Sequence, residues 1–280
     1  MNRKIIFPIG TLLLPLFLVV LCFILLGYGC QKNEESVLAP TKDKEKPKEP
    51  EKPIPAKPVM VPSGITTTNL RTEFKYEGET SRLTEITQSD GRITKFFYRP
   101  DGTPLTYEYY KDNKLQQYLD YFLNKEGQIY KISLFDGKST SSGYYSIIYN
   151  EEGQISEVKK YGVNSKIFEE EKIGYDSLGN ANSIAVTNNG KTTTRSSTYD
   201  DRAGIYQHIP YLQLFLLTQQ QSSMIFSKSN PLQIDYLPTA VVGSVYTYEY
   251  NTNNYPSSLS RKQGNAIETM KITYKTIKPK

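Results

Sequence analysis

Tryptophan is absent from this 280-residue chain, histidine occurs once and cysteine twice. With His208 the sole imidazole, no histidine-cluster metal site can be built, and a Ser-His relay would have no spare. His208 also lies in an apolar stretch, where a packed or rim histidine is the commoner outcome. Of the two cysteines, Cys22 sits inside the N-terminal apolar run, so only Cys30 remains beyond it. No Gly-x-Ser-x-Gly, Gly-x-Gly-x-x-Gly or P-loop pattern occurs, and no acidic stretch follows the Asp-x-Asp-x-Asp-Gly order of a calcium loop. A concentrated basic stripe is missing too. The formal net charge is +5, falling to +3 without Arg3 and Lys4, so nucleic acid is not an expected partner. Neither a metal nor a cofactor is expected.

What is present begins with an address. Arg3 and Lys4 precede an apolar run from Ile5 to Leu26, and Gly27-Tyr28-Gly29 then meets Cys30. Charge, apolar segment and small residues in that order make an export signal over 1–29. A cysteine directly after the small residues is what lipid attachment requires, so Cys30 is the expected lipidation site and the expected link to a membrane. Gly27 stands where a leucine is usual. The run is also long enough to span a bilayer uncleaved, which needs about 20 apolar residues, but Pro8 and Pro15 weaken such a helix.

Residues 30–63 read as a tether. Seven prolines (40, 47, 50, 53, 55, 58 and 62) alternate with Lys and Glu, a composition that buries too little apolar surface to fold and stiffens toward polyproline II. Its first residues, Gln31-Lys32-Asn33-Glu34-Glu35, resemble the surface-export signal of Bacteroidota lipoproteins. That resemblance implies a chain routed to the outer face of the outer membrane.

The remainder, 64–280, is repetitive. Tyr98-Arg-Pro-Asp-Gly102, Leu123-Asn-Lys-Glu-Gly127, Tyr149-Asn-Glu-Glu-Gly153 and Tyr175-Asp-Ser-Leu-Gly179 recur at near-constant spacing. Tyr199-Asp-Asp-Arg-Ala-Gly204 carries one extra residue, and Tyr250-Asn-Thr-Asn-Asn254 puts Asn where Gly stood. A period of about 25 residues signals an array of supersecondary units. Tyr-rich segments suit half-buried strands, and Asn, Asp and Gly supply the positive φ of tight connections. The chain is therefore predicted to be all-β, an antiparallel up-and-down meander curled into a strongly curved sheet or incomplete barrel. Strands mixing Lys, Glu, Gln and Asn lack the apolar band of a lipid-facing wall. Ile205–Gln221 breaks the rhythm. Tyr211, Leu214 and Phe215 recur at helical spacing, so a short helix plugging the sheet is expected there, with a buried strand as the alternative.

The Tyr-(Asn/Asp)-x-x-Gly-x-Ile units, Tyr246-Thr-Tyr-Glu-Tyr-Asn251 with Asn254-Tyr-Pro256, and the aromatic insertion before Asn230-Pro231 resemble a family of Bacteroidota lipoproteins related to YD-type repeat proteins. The resemblance implies a soluble, porin-like antiparallel sheet in the cell envelope and no particular reaction.

Two sets of residues invite a functional reading. The acidic pairs Glu151-Glu152, Glu169-Glu170-Glu171 and Asp200-Asp201 could serve glycan hydrolysis only as two carboxyls about 5–10 Å apart across a cleft; acids in turns normally just face water. Among the tyrosines, Tyr107, Tyr109, Tyr246 and Tyr248 are candidates for an aromatic binding surface, the alternative being core. The expectation is a non-enzymatic binding or interaction module for a glycan or an envelope protein. A carboxylate-dependent glycan hydrolase and a structural envelope protein are the alternatives.

Overall fold

The computed structural model describes residues 59–217, 222–237 and 241–278. Cys30 and the Gln31, Lys32, Asn33, Glu34, Glu35 signal therefore lie outside the described residues. The first eight strands are β1 (Val59–Thr66), β2 (Arg71–Tyr76), β3 (Leu83–Gln88), β4 (Arg92–Tyr98), β5 (Pro104–Lys111), β6 (Lys114–Leu123), β7 (Ile129–Asp136) and β8 (Ser141–Tyr149). The rest are β9 (Ile155–Tyr161), β10 (Ile167–Gly174), β11 (Ser183–Asn188), β12 (Lys191–Tyr199), β13 (Pro231–Leu237), β14 (Val241–Tyr250), β15 (Pro256–Gln263) and β16 (Ala266–Ile277). Each pairs antiparallel with its sequence neighbours, and β1 pairs with β16.

That last pairing corrects the expectation of an incomplete barrel. Val59 to Thr66 run against Ile277 to Lys271, so the sixteen strands form a closed barrel. Closure removes the unpaired N–H and C=O groups that two open edges would expose. The strand that achieves it begins at Val59, inside the stretch assigned to the tether, whose proline content masked it.

The repeat is a local device that the structure explains atom by atom. After β8, the Asn150 carboxamide oxygen accepts the Gln154 N–H at 2.8 Å, and Gly153 takes φ +75°. Asn124, Asp176 and Asn251 close the turns after β6, β10 and β14 in the same way. The marker tyrosines fasten neighbouring strands. Tyr98 Oη donates to the Leu83 carbonyl (2.7 Å), Tyr149 to Ile129 (2.9 Å), Tyr175 to Ile155 (2.8 Å) and Tyr199 to Ala181 (2.7 Å). All these turns lie at one rim, so each strand pair is tied down at the same end.

The two faces of the wall are opposite in character. Phe96, Tyr107, Leu119 and Leu134 are direct cross-strand partners on the inner face and belong to one buried cluster. Outside, Lys75, Glu85, Lys95 and Glu108 face one another across β2 to β5, alternating in sign; Lys75 and Glu85 are 2.6 Å apart. Charges set directly opposite one another favour this register by a few tenths of a kcal/mol per pair. A lipid-facing wall would instead need an apolar band there.

The insertion between β12 and β13 fills the lumen at the turn-bearing rim. Where a single helix over 205–221 was expected, the described residues form turns and the one-turn helix α1 (Leu212–Phe215), and a second one-turn helix, α2 (Ser222–Ile225), lies beyond that range. Tyr211 adopts φ +62° at the start of α1, a left-handed conformation that no helix can pass through. Leu212, Leu214 and Phe215 are buried. Phe215 crosses the lumen to meet the opposite wall, its ring centroid 4.6 Å from Phe96, 6.1 Å from Tyr98 and 5.6 Å from Tyr121.

Candidate functional site at the plugged rim

Two buried asparagines fix the insertion. Asn180, fully buried, accepts the backbone N–H groups of Lys228 (3.0 Å) and Ser229 (2.8 Å), and its own N–H donates to Asp176 at 2.9 Å. Asn230 donates its amide to Asp200 Oδ2 (3.1 Å) and to the Ala203 carbonyl (3.0 Å), and accepts from the Ile205 N–H (3.2 Å). Both ends of the insertion are thereby fixed on the barrel rim.

Between this insertion and the β14–β15 turn lies a cleft of about 500 Å³ lined by Asp201, Arg202, Ala203, Thr252, Asn253, Asn254 and Tyr255. The Arg202 guanidinium sits 4.2 Å from the Tyr250 ring centre and donates to the Asn254 carboxamide oxygen at 3.4 Å. Tyr250 in turn donates its hydroxyl to Asp200; burial and that bond push the phenol above its ordinary range. Tyr255, buried, floors the cleft with its ring 6.0 Å from His208. Burial lowers the His208 pKa below its ordinary 6.5, so the ring is neutral at pH 7. A smaller crevice of about 200 Å³ lies on the same rim, bordered by Gln154, Tyr175, Gln207, Gln213, Phe226 and Lys228.

Inside the barrel, Lys160 bridges Glu169 and Glu171, with the Glu171 contact at 2.9 Å, beneath the Tyr145 ring (5.6 Å). Burial opposes the ammonium, but the two carboxylates outweigh it and raise the Lys160 pKa.

The expected aromatic surface is displaced. Tyr107 and Tyr246 are core residues, 2% and 9% exposed, because their parity on β5 and β14 points them inward. Tyr248 is half-buried with its hydroxyl committed to Pro231, and Tyr109 packs partly against the core. Exposed apolar side chains on the outer wall include instead Phe97, Leu105, Phe122, Tyr130 and Ile148 along β4 to β8. Bulges at Phe97/Tyr98 and Phe122/Leu123 help set this arrangement, and the alternation of sequence gave no sign of them. Among the acidic candidates, Glu170 turns outward to Lys172 (3.1 Å), Glu151 and Glu152 are exposed in a turn, and Asp200 is held by Asn230 and Tyr250. Asp201 alone opens onto the rim cleft.

With the geometry in hand, comparison with solved structures gives the fold. A porin-like protein from Bacteroides uniformis superposes with a TM-score of 0.53 at 14% identity, over 76% of this chain and 96% of that one. The chain shares that protein's fold, a closed antiparallel β-barrel. A porin-like protein from Bacteroides vulgatus aligns with a TM-score of 0.41 at 10% identity, over 77% of this chain and 99% of that one. No protein-family profile and no curated protein matches the sequence.

Proposed function

We propose that this porin-like barrel is a lipid-anchored outer-membrane protein that works as a non-enzymatic binding module, held on its tether outside the bilayer and presenting the plugged rim. The observation that carries the reading is the crossing of the lumen by Phe215, with Asn180 and Asn230 securing the insertion that bears it. A barrel so filled is built to hold a surface rather than to pass solutes. The alternating charges on the outer wall fit a water-facing barrel, and the Ile5–Leu26 run with Cys30 supplies the attachment. Binding without catalysis fits the engagement of these acids: Glu169 and Glu171 are both bonded to Lys160, and Asp200 is bonded to Asn230 and Tyr250.

Metabolic labelling of the full-length protein with an alkyne fatty acid, followed by protease shaving of intact cells, tests this. Label on wild type but not on Cys30→Ser, with shaving of wild type but not of a Lys32→Ala, Glu34→Ala, Glu35→Ala variant, is the expected result. An unlabelled wild type would remove the lipid anchor. Protection of wild type and variant alike would turn the domain toward the periplasm and end the surface assignment.

A further inference from the structure

The β14–β15 turn carries Asn254 where its repeats carry glycine. At Gly127 and Gly153 the space beside the turn is open, and at Gly102 and Gly179 a cation reaches over it, an added Cβ meeting Arg82 Nη2 at 2.9 Å or Lys228 Nζ at 3.0 Å. The equivalent position here is Asn254, left-handed at φ +64°, a conformation Asn tolerates at little cost. Its amide engages Arg202, whose planar head is further braced by the Tyr250 ring, and the cleft opens beside them.

We propose that this cleft binds a neutral carbohydrate, which deepens the binding role above and rests on it. The volume of about 500 Å³ falls within the range of about 300–1,000 Å³ typical of small-ligand sites. Asp201 supplies carboxylate acceptors, Arg202 keeps guanidinium donors beyond the one given to Asn254, and Asn253 and Thr252 offer both kinds of group. Rigid forks of acceptors and donors match the vicinal hydroxyls of a sugar, each of which donates and accepts. One carboxylate and one guanidinium cancel, so the cleft selects against polyanions. Its lining side chains are polar apart from Ala203 and the Tyr255 floor, a set suited to the hydroxyls of a sugar more than to the large apolar anchor of a peptide.

The test uses full-length protein in detergent and isothermal titration with neutral oligosaccharides of the malto-, cello-, laminari-, xylo- and manno-series, plus a polyuronate. Binding of at least one neutral series is expected. Arg202→Ala should weaken it by about tenfold or more, the loss expected for a hydrogen bond from a charged group. Asp201→Asn should weaken it less, and Lys191→Ala, on the opposite rim, should leave it unchanged. Binding of the polyuronate alone, or equal binding by wild type and Arg202→Ala, overturns the assignment. The same preparations are also tested for retention on isolated envelopes. Retention without any oligosaccharide binding would overturn the carbohydrate inference and spare the binding role. Loss of both would remove the role as well.

Discussion

Two tyrosine-to-phenylalanine changes remove the same atom and should move stability in opposite directions. Tyr149 Oη donates to the Ile129 carbonyl at 2.9 Å, joining two strands at the tied rim. Removing it deletes a neutral hydrogen bond with a net contribution of about 0.5–1.5 kcal/mol and leaves that carbonyl to find another donor. Tyr121 is 1% exposed, with its ring edge-on to Phe215 and its hydroxyl buried without a hydrogen-bond partner among the described residues. A buried unsatisfied hydroxyl costs about 1–3 kcal/mol, so Tyr121→Phe keeps the ring packing and relieves that cost. Tyr149→Phe should therefore destabilise by about 1 kcal/mol and Tyr121→Phe stabilise by about as much or more. For a domain of this size the two melting temperatures should separate by several degrees, given about 2–4 °C per kcal/mol. With no tryptophan to report, urea unfolding followed by far-UV circular dichroism is the assay, read as midpoint shifts at constant m. Destabilisation by both changes would refute the reasoning, because it would show the Tyr121 hydroxyl to be doing bonded work.

Phe215→Ala should cost about 3–5 kcal/mol, as expected for a buried aromatic that fills the lumen, and a fall in midpoint below about 1 kcal/mol would show that the plug is not integral. Asn180→Ala orphans the Lys228 and Ser229 N–H groups, so limited proteolysis should cut first within 200–230 while the strands survive; unchanged cleavage sites would contradict this. Lys160→Met strands Glu169 and Glu171 together and should cost about 3–5 kcal/mol at pH 7. That loss should shrink as pH falls and the carboxylates protonate, a recovery that wild type would not show in denaturant titrations. Tyr149 and Tyr206 are pushed up to about 12 by burial. Because their folded values exceed the unfolded value near 10, the stability they confer is complete below pH 10 and is lost as pH rises through about 12. Absorbance at alkaline pH should therefore show these buried phenols ionising only as the barrel unfolds, and full ionisation of a still-folded chain at pH 10 would contradict the burial.

The repeat was legible because it is local. A tyrosine, an Asn or Asp and a glycine within five residues specify a turn whose bonds are all made nearby, and the Asn150–Gly153 and Asp176–Gly179 geometries follow from those side chains alone. The all-β class, the antiparallel order and the place of the insertion came with it. Barrel closure did not, because Val59 and Ile277 meet across almost the whole described chain and nothing near either residue encodes the other. The facing of individual tyrosines was likewise decided at a distance. A one-residue slip exchanges inner and outer faces, and register shifts in the β4–β5 and β6–β7 pairings leave Leu105 and Tyr130 as extra residues exposed on the outer wall. Tyr107 lies in the core as the cross-strand partner of Phe96 and Leu119, while Phe97, Phe122 and Ile148, each next to a buried residue, face outward. The sequence by itself therefore determined the unit and the turn that closes it. The tertiary structure alone decided that the wall closes, that Phe215 fills it, and that Arg202 and Asp201 share a cleft with Thr252, Asn253 and Asn254, because each of these depends on contacts between residues far apart in the chain.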